Sequence, residues 1–273
     1  HVNVLDAPFA KLKSLSIQVN PPDFPGNASQ GGQGGDHLIA KNGPVAQFSA
    51  GWDWIQATPD RMTGIWDRVE LYWENPVIEL TDPSFHLIFP QEFISGAPVQ
   101  EAPVDVSISL NANIPLKQHQ SNNTELQVKA ELIDATGNVV ATTITTVATK
   151  NGDGSGPIII TFSLMKVPQV KLWWPATHGT PYLYTWLFSV IDDKMSESDC
   201  SGTQLSTTYG FRQADMYIHP HTDGWACKIN GQDVFLQGGN YITTDQFLQY
   251  STNKVRYEDE IRMHVEMGFN LIR

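Results

Sequence analysis

Segments of strand length, two of them with alternating apolar and polar residues, constrain the fold of this chain most. Alternation with a period of two places successive side chains on opposite faces of a strand, so such a segment predicts a strand with one buried face. The alternating segments are Val104–Leu110 and Glu125–Ile133. Further strands are predicted by β-branched and apolar composition at Val139–Ala148, Pro157–Phe162 and Tyr182–Ile191. Short strands spaced by turn sequences favour a β-sandwich of about one hundred residues.

The residues before this sandwich are also rich in strand signals. Val77–Thr81 and His86–Phe89 predict two separate strands, and Ala46–Ile55 and Gly64–Tyr72 carry Trp and other strand-favouring residues. Pro21–Pro44 is a long irregular stretch rich in Pro and Gly, of the kind that is usually functional or disordered. The chain is therefore predicted to be mostly β.

The pattern changes towards the C-terminus, where a hairpin and then a strand, a helix and a strand are predicted. Cys227–Leu236 reads as a hairpin with Asn230-Gly231 as its two-residue turn. Phe235–Gly239 predicts a strand, and Phe269–Ile272 predicts the next one. Thr252 or Asn253 can cap the helix between them, Tyr257, Ile261 and Val265 share one face, and Gly268 ends it. This order suggests the opening of a parallel barrel or of a doubly wound sheet.

Composition excludes several classes of function. Asp and Glu number 29 against 17 Lys and Arg, and this net charge of −12 argues against a nucleic-acid partner. No apolar stretch approaches the ~20 residues of a membrane span, and two cysteines cannot alone form a disulfide framework or a four-ligand metal site. Gly31–Gly35 lacks the Lys-Ser/Thr that follows in a phosphate-binding loop. We expect no cofactor, no metal, no nucleic acid and no membrane.

Gly51-Trp52-Asp53-Trp54 is the first candidate binding motif. An indole stacks on the apolar face of a sugar ring, and a carboxylate can accept two hydroxyl protons. Trp52 and Asp53 are therefore candidate sugar-binding residues. The alternative is two core tryptophans that flank a turn aspartate.

Polar residues next to the predicted C-terminal strands form the second candidate site. In a parallel barrel, binding and catalytic groups stand at the C-terminal ends of strands, where Asn240, Asp245 and Arg273 would fall. The alternatives are a loop Asn, a helix-capping Asp and a surface Arg.

Three groups of motifs, taken together and in this order, resemble glycoside hydrolase family 2 and, within it, the β-mannosidase-like branch. They are Gly51–Trp54 with Thr63–Trp66; Leu172–Pro175 with Tyr182–Tyr184 and Tyr209–Arg212; and Ile229–Gly231 with Phe235–Asn240 and Met267–Arg273. The resemblance implies the C-terminal part of a sugar-binding jelly roll at 1–82 and an immunoglobulin-like β-sandwich at 83–213. It implies the first strand, helix and strand of a TIM (β/α)8 barrel at 214–273.

The same resemblance implies the roles of the candidate residues. Trp52 and Asp53 would reach the −1 sugar, and Asn240 and Asp245 would line or brace the pocket floor. Arg273 would keep a nucleophilic glutamate ionised, since a nearby cation lowers a carboxylate's pKa. No catalytic glutamate is expected within this segment, which reads as a cut through a longer enzyme.

The implied reaction is retaining hydrolysis of β-linked mannose, as in the Man-β-1,4-GlcNAc unit of N-glycans. Exo-β-D-glucosaminidase activity is the alternative within the family, and a non-catalytic carbohydrate-binding or structural module is the alternative outside it. The expected partners are an oligosaccharide and the remainder of the same polypeptide or its processed fragments. The sequence pI of 5.0 fits a vacuolar, lysosomal or extracellular location somewhat better than a cytoplasmic one, without fixing the compartment.

Overall fold

A computed structural model describes residues 16–20, 64–65, 69, 78–113, 125–148, 157–191, 204–241 and 253–273. By its internal contacts the chain divides into two units, one formed by His1–Trp73 with Gln237–Arg273 and the other by Glu74–Leu236. The predicted borders at residues 82 and 213 stay predictions. The described elements are, in chain order, β1 (Glu79–Ile88), β2 (Glu101–Asn113), β3 (Glu125–Ile133), β4 (Val139–Ala148), β5 (Ile158–Thr161), β6 (Met165–Lys171), β7 (Tyr184–Ile191), β8 (Gln204–Tyr209), β9 (Ala214–Ile218), β10 (Trp225–Ile229), β11 (Gln232–Val234), β12 (Gly238–Gly239), α1 (Lys254–Glu266) and β13 (Leu271–Ile272).

β2 lies at the centre of the first sheet of the 74–236 unit. It pairs antiparallel with β1 along one edge, while β5 and β6 share its other edge. Alternation predicts one buried face for this strand, and every second side chain is at most 1% exposed. These side chains are Ala102, Val104, Val106, Ile108, Leu110 and Ala112.

The second sheet has the order β4-β3-β7-β8 and is antiparallel throughout. Its buried face carries large aromatic side chains, among them Trp186 and Phe188, both 0% exposed. Phe85 of β1 stacks on Trp186 with ring centroids 5.4 Å apart, and Phe162, which follows β5, lies 6.1 Å from Phe188. These contacts join the two sheets into a sandwich, and the mostly-β prediction is confirmed.

A third sheet has the order β11-β10-β9. The two-residue turn between β10 and β11 attaches it to the sandwich. Asn230 and Gly231 have φ values of +49° and +77°, as a type I′ hairpin turn requires, so the predicted hairpin is confirmed. Asn230 is 0% exposed. Its Oδ1 accepts from the Gln213 backbone N–H at 3.0 Å, and its Nδ2 donates to the Trp173 carbonyl at 3.0 Å. A Cβ on Gly231 would lie 2.7 Å from the Phe93 carbonyl oxygen, so only glycine fits there.

The C-terminal residues form a strand, a helix and a strand. Asn253 caps α1 because its side chain accepts from the Arg256 N–H at 3.2 Å, and Gly268, with φ +83°, follows the last turn. Both ends of the helix are therefore as predicted. β12 and β13 pair in parallel, as predicted, although each is shorter than its sequence pattern suggests. On α1, Ile261 and Val265 are 42% and 46% exposed.

The two strands predicted at Val77–Thr81 and His86–Phe89 are one strand, β1. The prediction was wrong because Asp82-Pro83 reads as a break. Instead, the pairing with β2 shifts register between Thr81 and Ser84, and Asp82 takes φ +51°. A bulge absorbs the proline, which has no N–H for the ladder.

The sequence patterns missed β6, β8 and β9. β6 contains Pro168, and a proline inside a segment argues against a strand. In the structure, Pro168 of β6 and Pro103 of β2 both lie in the stretch where the register shifts between Ala102 and Val104. The two residues that cannot donate to the ladder thus fall within the same irregularity.

The helix α1 has 13 residues. Within the described ranges, no helix combines the length and the apolar character that crossing a membrane requires.

Candidate functional site

Arg273 and Asn240 meet at the carboxyl ends of the parallel strands β12 and β13. The Arg273 Nη1 donates to Asn240 Oδ1 at 3.0 Å. The backbones hold the same register, since the Arg273 N–H donates to the Gly239 carbonyl at 3.0 Å and the Tyr241 N–H donates to the Arg273 carbonyl at 2.9 Å. Both side chains are exposed. Two of the predicted site residues are therefore brought together.

Glycine and asparagine set this strand pair. A Cβ on Gly238 would lie 1.9 Å from the Leu271 carbonyl oxygen, so the two backbones can pair only without a side chain there. Asn270 Oδ1 accepts from the Gln237 N–H at 2.9 Å, and the Asn270 N–H donates to the Gln237 carbonyl at 2.9 Å. The side chain of Asn270 thus fixes the start of β12 beside β13.

A cluster on α1 supports the residue that follows Asn240. The Tyr241 hydroxyl donates to Glu260 Oε2, and Arg256 Nε lies 3.4 Å from Glu260 Oε1. The His264 ring lies 6.0 Å from the Tyr241 ring, edge to face, and 5.7 Å from the Phe269 ring. His264 Nδ1 lies 2.7 Å from the Glu260 carbonyl, which can only accept, so this nitrogen carries the proton.

Trp52, Asp53 and Asp245 lie outside the described residues, and their predicted roles stay predictions. Tyr241 and Glu260 were missed as members of the site. A spacing signal exists, because Arg256, Glu260 and His264 recur every four residues and so share one face of α1. It was overlooked because the apolar residues Tyr257, Ile261 and Val265 suggested a neighbouring face.

The Arg273–Asn240 pair can bind an anion and a hydroxyl at once. A guanidinium has five N–H donors, of which one is given to Asn240 here, and the Asn240 amide has two donors of its own. The fork geometry of arginine matches a carboxylate, and the amide N–H groups can donate to a neutral polar group. The pair therefore fits a site in which a carboxylate acts on a polyhydroxylated ligand.

The tryptophans of Leu172-Trp173-Trp174-Pro175 pack rather than bind. Trp174 is 2% exposed within the core. The Arg212 guanidinium lies 4.8 Å from the Trp173 ring centre, and a Cβ on Gly210 would lie 2.8 Å from Trp173 Cδ1. Both indoles are therefore packing residues and do not form a shelf for a ligand.

A shallow groove of about 490 Å³ lies in the 74–236 unit. Its lining is formed by Phe89, Pro90, Gln91, Glu92, Phe93, Gln213, Asp215, Lys228 and Gly231. Asn240 and Arg273, the predicted site residues that lie in the described part of the chain, are not among these lining residues.

Comparison with known protein families shows which family this chain resembles. Residues 98–212 match the family model described as "Glycosyl hydrolases family 2". These residues run from just before β2 to Arg212, so the match covers most of the sandwich. The resemblance to glycoside hydrolase family 2 is therefore confirmed.

Individual proteins that are similar to this chain give a more specific comparison than the family model. A protein of Lilium longiflorum named mannosylglycoprotein endo-beta-mannosidase is 33% identical over 95% of this chain and 25% of its own length. The exo-beta-D-glucosaminidase of Amycolatopsis orientalis is 25% identical over 86% of this chain and 20% of its own length. The chain thus spans about a quarter or less of the length of these relatives. The crystal structure of a β-D-mannosidase from Dictyoglomus thermophilum aligns with TM-score 0.60 at 21% identity, over 85% of this chain and 25% of that one, and this likeness concerns the fold.

Proposed function

We propose that this chain is part of a retaining glycoside hydrolase that cleaves β-linked mannose, in particular the Man-β-1,4-GlcNAc unit of N-glycans. The observation that carries the proposal is the Arg273–Asn240 hydrogen bond at the carboxyl ends of two parallel strands. In (β/α)8 enzymes the reacting groups stand at this edge. The 33% identity to a protein named mannosylglycoprotein endo-beta-mannosidase supports the choice of sugar.

In this proposal, Arg273 supports the nucleophile of the reaction. Retaining hydrolysis uses one carboxylate to attack the anomeric carbon while a carboxylic acid protonates the leaving oxygen, and water then releases the sugar from the enzyme. Both carboxyl groups would come from other strands of the same barrel. The Arg273 guanidinium beside the nucleophile would lower its pKa and keep it ionised. Asn240 would orient the guanidinium through Oδ1 and offer Nδ2 to a sugar hydroxyl.

The remaining predicted residues complete the proposed pocket. Trp52 and Asp53 would reach the −1 sugar from a jelly roll ending near residue 82, with Asp53 accepting hydroxyl protons. Asp245 would brace the pocket floor after β12. The described sandwich would be the immunoglobulin-like domain, and the residues from 214 onward would begin the TIM barrel.

The test uses the full-length protein that contains this chain. It is assayed on Man-β-1,4-GlcNAc glycans and on β-glucosaminides, and the anomer of the first-released sugar is read by NMR. Release of mannose-terminated product with retained configuration supports the proposal. Release of glucosamine alone would replace it with exo-β-D-glucosaminidase activity, which the 25% identical relative favours. Glycan binding without any hydrolysis would identify a carbohydrate-binding module instead.

Arg273 gives the mutational arm of this test. Arg273→Met should lower kcat/KM on the order of a hundredfold, because it removes a charged donor from the reacting carboxylate. Arg262→Met is the matched control, since Arg262 on α1 pairs with Asp259 and Glu266 and its side chain is 60% exposed. Equal activity of the two variants would refute the role proposed for Arg273.

A further inference from the structure

Asn240 is bracketed by two backbone hydrogen bonds to the same residue. Gly239, which precedes it, accepts from the Arg273 N–H at 3.0 Å, and Tyr241, which follows it, donates to the Arg273 carbonyl at 2.9 Å. The Asn240 side chain reaches the guanidinium of that same Arg273. The relative position of the amide and the guanidinium therefore depends on whether residue 241 stays in place.

The hydrogen bond at Gly239 is held by the strand pair, whereas the hydrogen bond at Tyr241 lies beyond the end of β12. Gly239 is paired with Ile272. Tyr241 lies after the last ladder pair, so its backbone needs another restraint. Its side chain supplies one, because the hydroxyl donates to Glu260 on α1.

Glu260 is a firm support for this hydroxyl. Its side chain is 22% exposed, and its other oxygen lies 3.4 Å from Arg256 Nε. A hydrogen bond to a charged group is stronger than one between neutral groups, and partial burial strengthens it further. The His264 and Tyr241 rings pack against each other edge to face, with the ring planes at 68°. The tyrosine is thus fixed at both its hydroxyl and its ring.

We propose that Tyr241 is a positioning residue, which holds Asn240 beside Arg273 by anchoring the end of β12 to Glu260 of α1. It touches neither substrate nor reacting atoms in this proposal, and it acts through Asn240 alone. The inference rests on the proposed function for its kinetic readout. A second readout, backbone hydrogen exchange, does not depend on activity.

Tyr241→Phe removes only the hydroxyl, so it tests the anchor directly. In the full-length protein we expect kcat/KM to fall on the order of tenfold, because small displacements of binding groups carry large kinetic costs. Tyr257→Phe is the matched control. Tyr257 lies on the same helix and is half-buried, and its hydroxyl has no hydrogen bond within the described part of the chain. Its activity should equal that of the wild type.

A double-mutant cycle separates positioning from a general structural effect. In an Asn240→Ala background, Tyr241→Phe should cost less than about twofold, because the group that it positions is already gone. The same tenfold loss in both backgrounds would overturn the proposal, and so would an unchanged kcat/KM for Tyr241→Phe in the wild-type background. Glu260→Gln, which keeps an acceptor for the hydroxyl, should lie between the wild type and Tyr241→Phe.

Hydrogen exchange distinguishes failure of this inference from failure of the proposed function. Tyr241→Phe should speed exchange of the residue-241 amide, which donates to the Arg273 carbonyl. Tyr257→Phe should leave that exchange rate unchanged. If the wild type hydrolyses no glycoside, the proposed function fails, and the exchange result alone tests whether the Tyr241–Glu260 hydrogen bond holds the end of β12. An unchanged exchange rate in Tyr241→Phe would refute that positioning role.

Discussion

Replacing Asn230 by alanine should destabilise the 74–236 unit far more than its size suggests. The side chain is completely buried and bonds two backbone groups, the Gln213 N–H and the Trp173 carbonyl, each at 3.0 Å. Leaving a buried polar group without a partner costs about 1–3 kcal/mol. Asn230 also has φ +49°, where alanine costs about 1 kcal/mol more than asparagine. With two backbone groups left without partners at about 1.5 kcal/mol each and the backbone strain added, the expected loss is about 4 kcal/mol.

Gln232 provides the matched control, because it makes the same kind of contact in a more solvated place. Its Nε2 donates to the Ile94 carbonyl and its Oε1 accepts from the Gly96 N–H, each at 3.1 Å, but both bonds are exposed. Water can replace these bonds, so Gln232→Ala should cost only about 1 kcal/mol. The two variants differ chiefly in burial of the amide and in the backbone angle at residue 230.

The assay is equilibrium unfolding in urea, followed by the fluorescence of the buried tryptophans Trp174 and Trp186. At a slope of about 2 kcal/mol per M of urea, a loss of about 4 kcal/mol lowers the urea midpoint by roughly 2 M. Asn230→Gly separates the two causes, since glycine accepts the positive φ but restores neither hydrogen bond. If Asn230→Ala and Gln232→Ala cost the same within about 0.5 kcal/mol, the argument from burial is wrong.

Two further substitutions test local features of the sandwich. The Thr136 hydroxyl at 2.7 Å and then the Asn138 N–H at 2.9 Å lower the pKa of the Asp134 carboxyl from 3.8 to about 2. Because the pKa of Asp134 is depressed in the folded state, the ionised carboxylate stabilises the fold fully above about pH 4, and this stabilisation is lost as the pH falls towards 2. Asp134→Asn should therefore be less stable than the wild type at pH 5, and the difference in urea midpoint should shrink by pH 2. A gap that stays constant with pH would contradict this assignment. Gly210→Ala should cost about 1–3 kcal/mol of stability, since its Cβ would lie 2.8 Å from Trp173 Cδ1. The control is Gly224→Ala, whose Cβ would have Thr222 Oγ1 as its nearest neighbour at 3.6 Å and which should unfold at nearly the wild-type urea concentration. Equal urea midpoints for both variants would be evidence against the close contact.

Local signals in the sequence were enough to place the elements that depend on local chemistry. The alternation within Glu125–Ile133 predicts β3 residue for residue, and Asn253 and Gly268 mark both ends of α1. Each of these features is decided by a residue and its near neighbours. The proline-containing strands were predicted poorly, because Pro83 and Pro168 are accommodated by bulges whose partners lie far along the chain.

The candidate site likewise has a part that follows from local sequence signals and a part that depends on how distant elements pack. Asn240 and Arg273 could be predicted because each follows a recognisable strand, and parallel strands bring their carboxyl ends together. The support given to Tyr241 by Glu260 could not, because it depends on which face of α1 turns towards β12. Apolar spacing favoured the face of Ile261 and Val265, whereas the described contacts use the polar face beside it.

The close approach at Gly238 distinguishes a position of β12 that cannot accept a side chain from a nearby position whose side chain can vary. Every side chain larger than a hydrogen atom collides with the Leu271 carbonyl, so any substitution at 238 should disrupt the pairing of β12 with β13. Two residues further on, the Asn240 side chain is exposed, and its replacement leaves the backbone ladder intact. Substitutions at 240 can therefore change the chemical groups presented at the end of β12 without changing the strand pair that carries them.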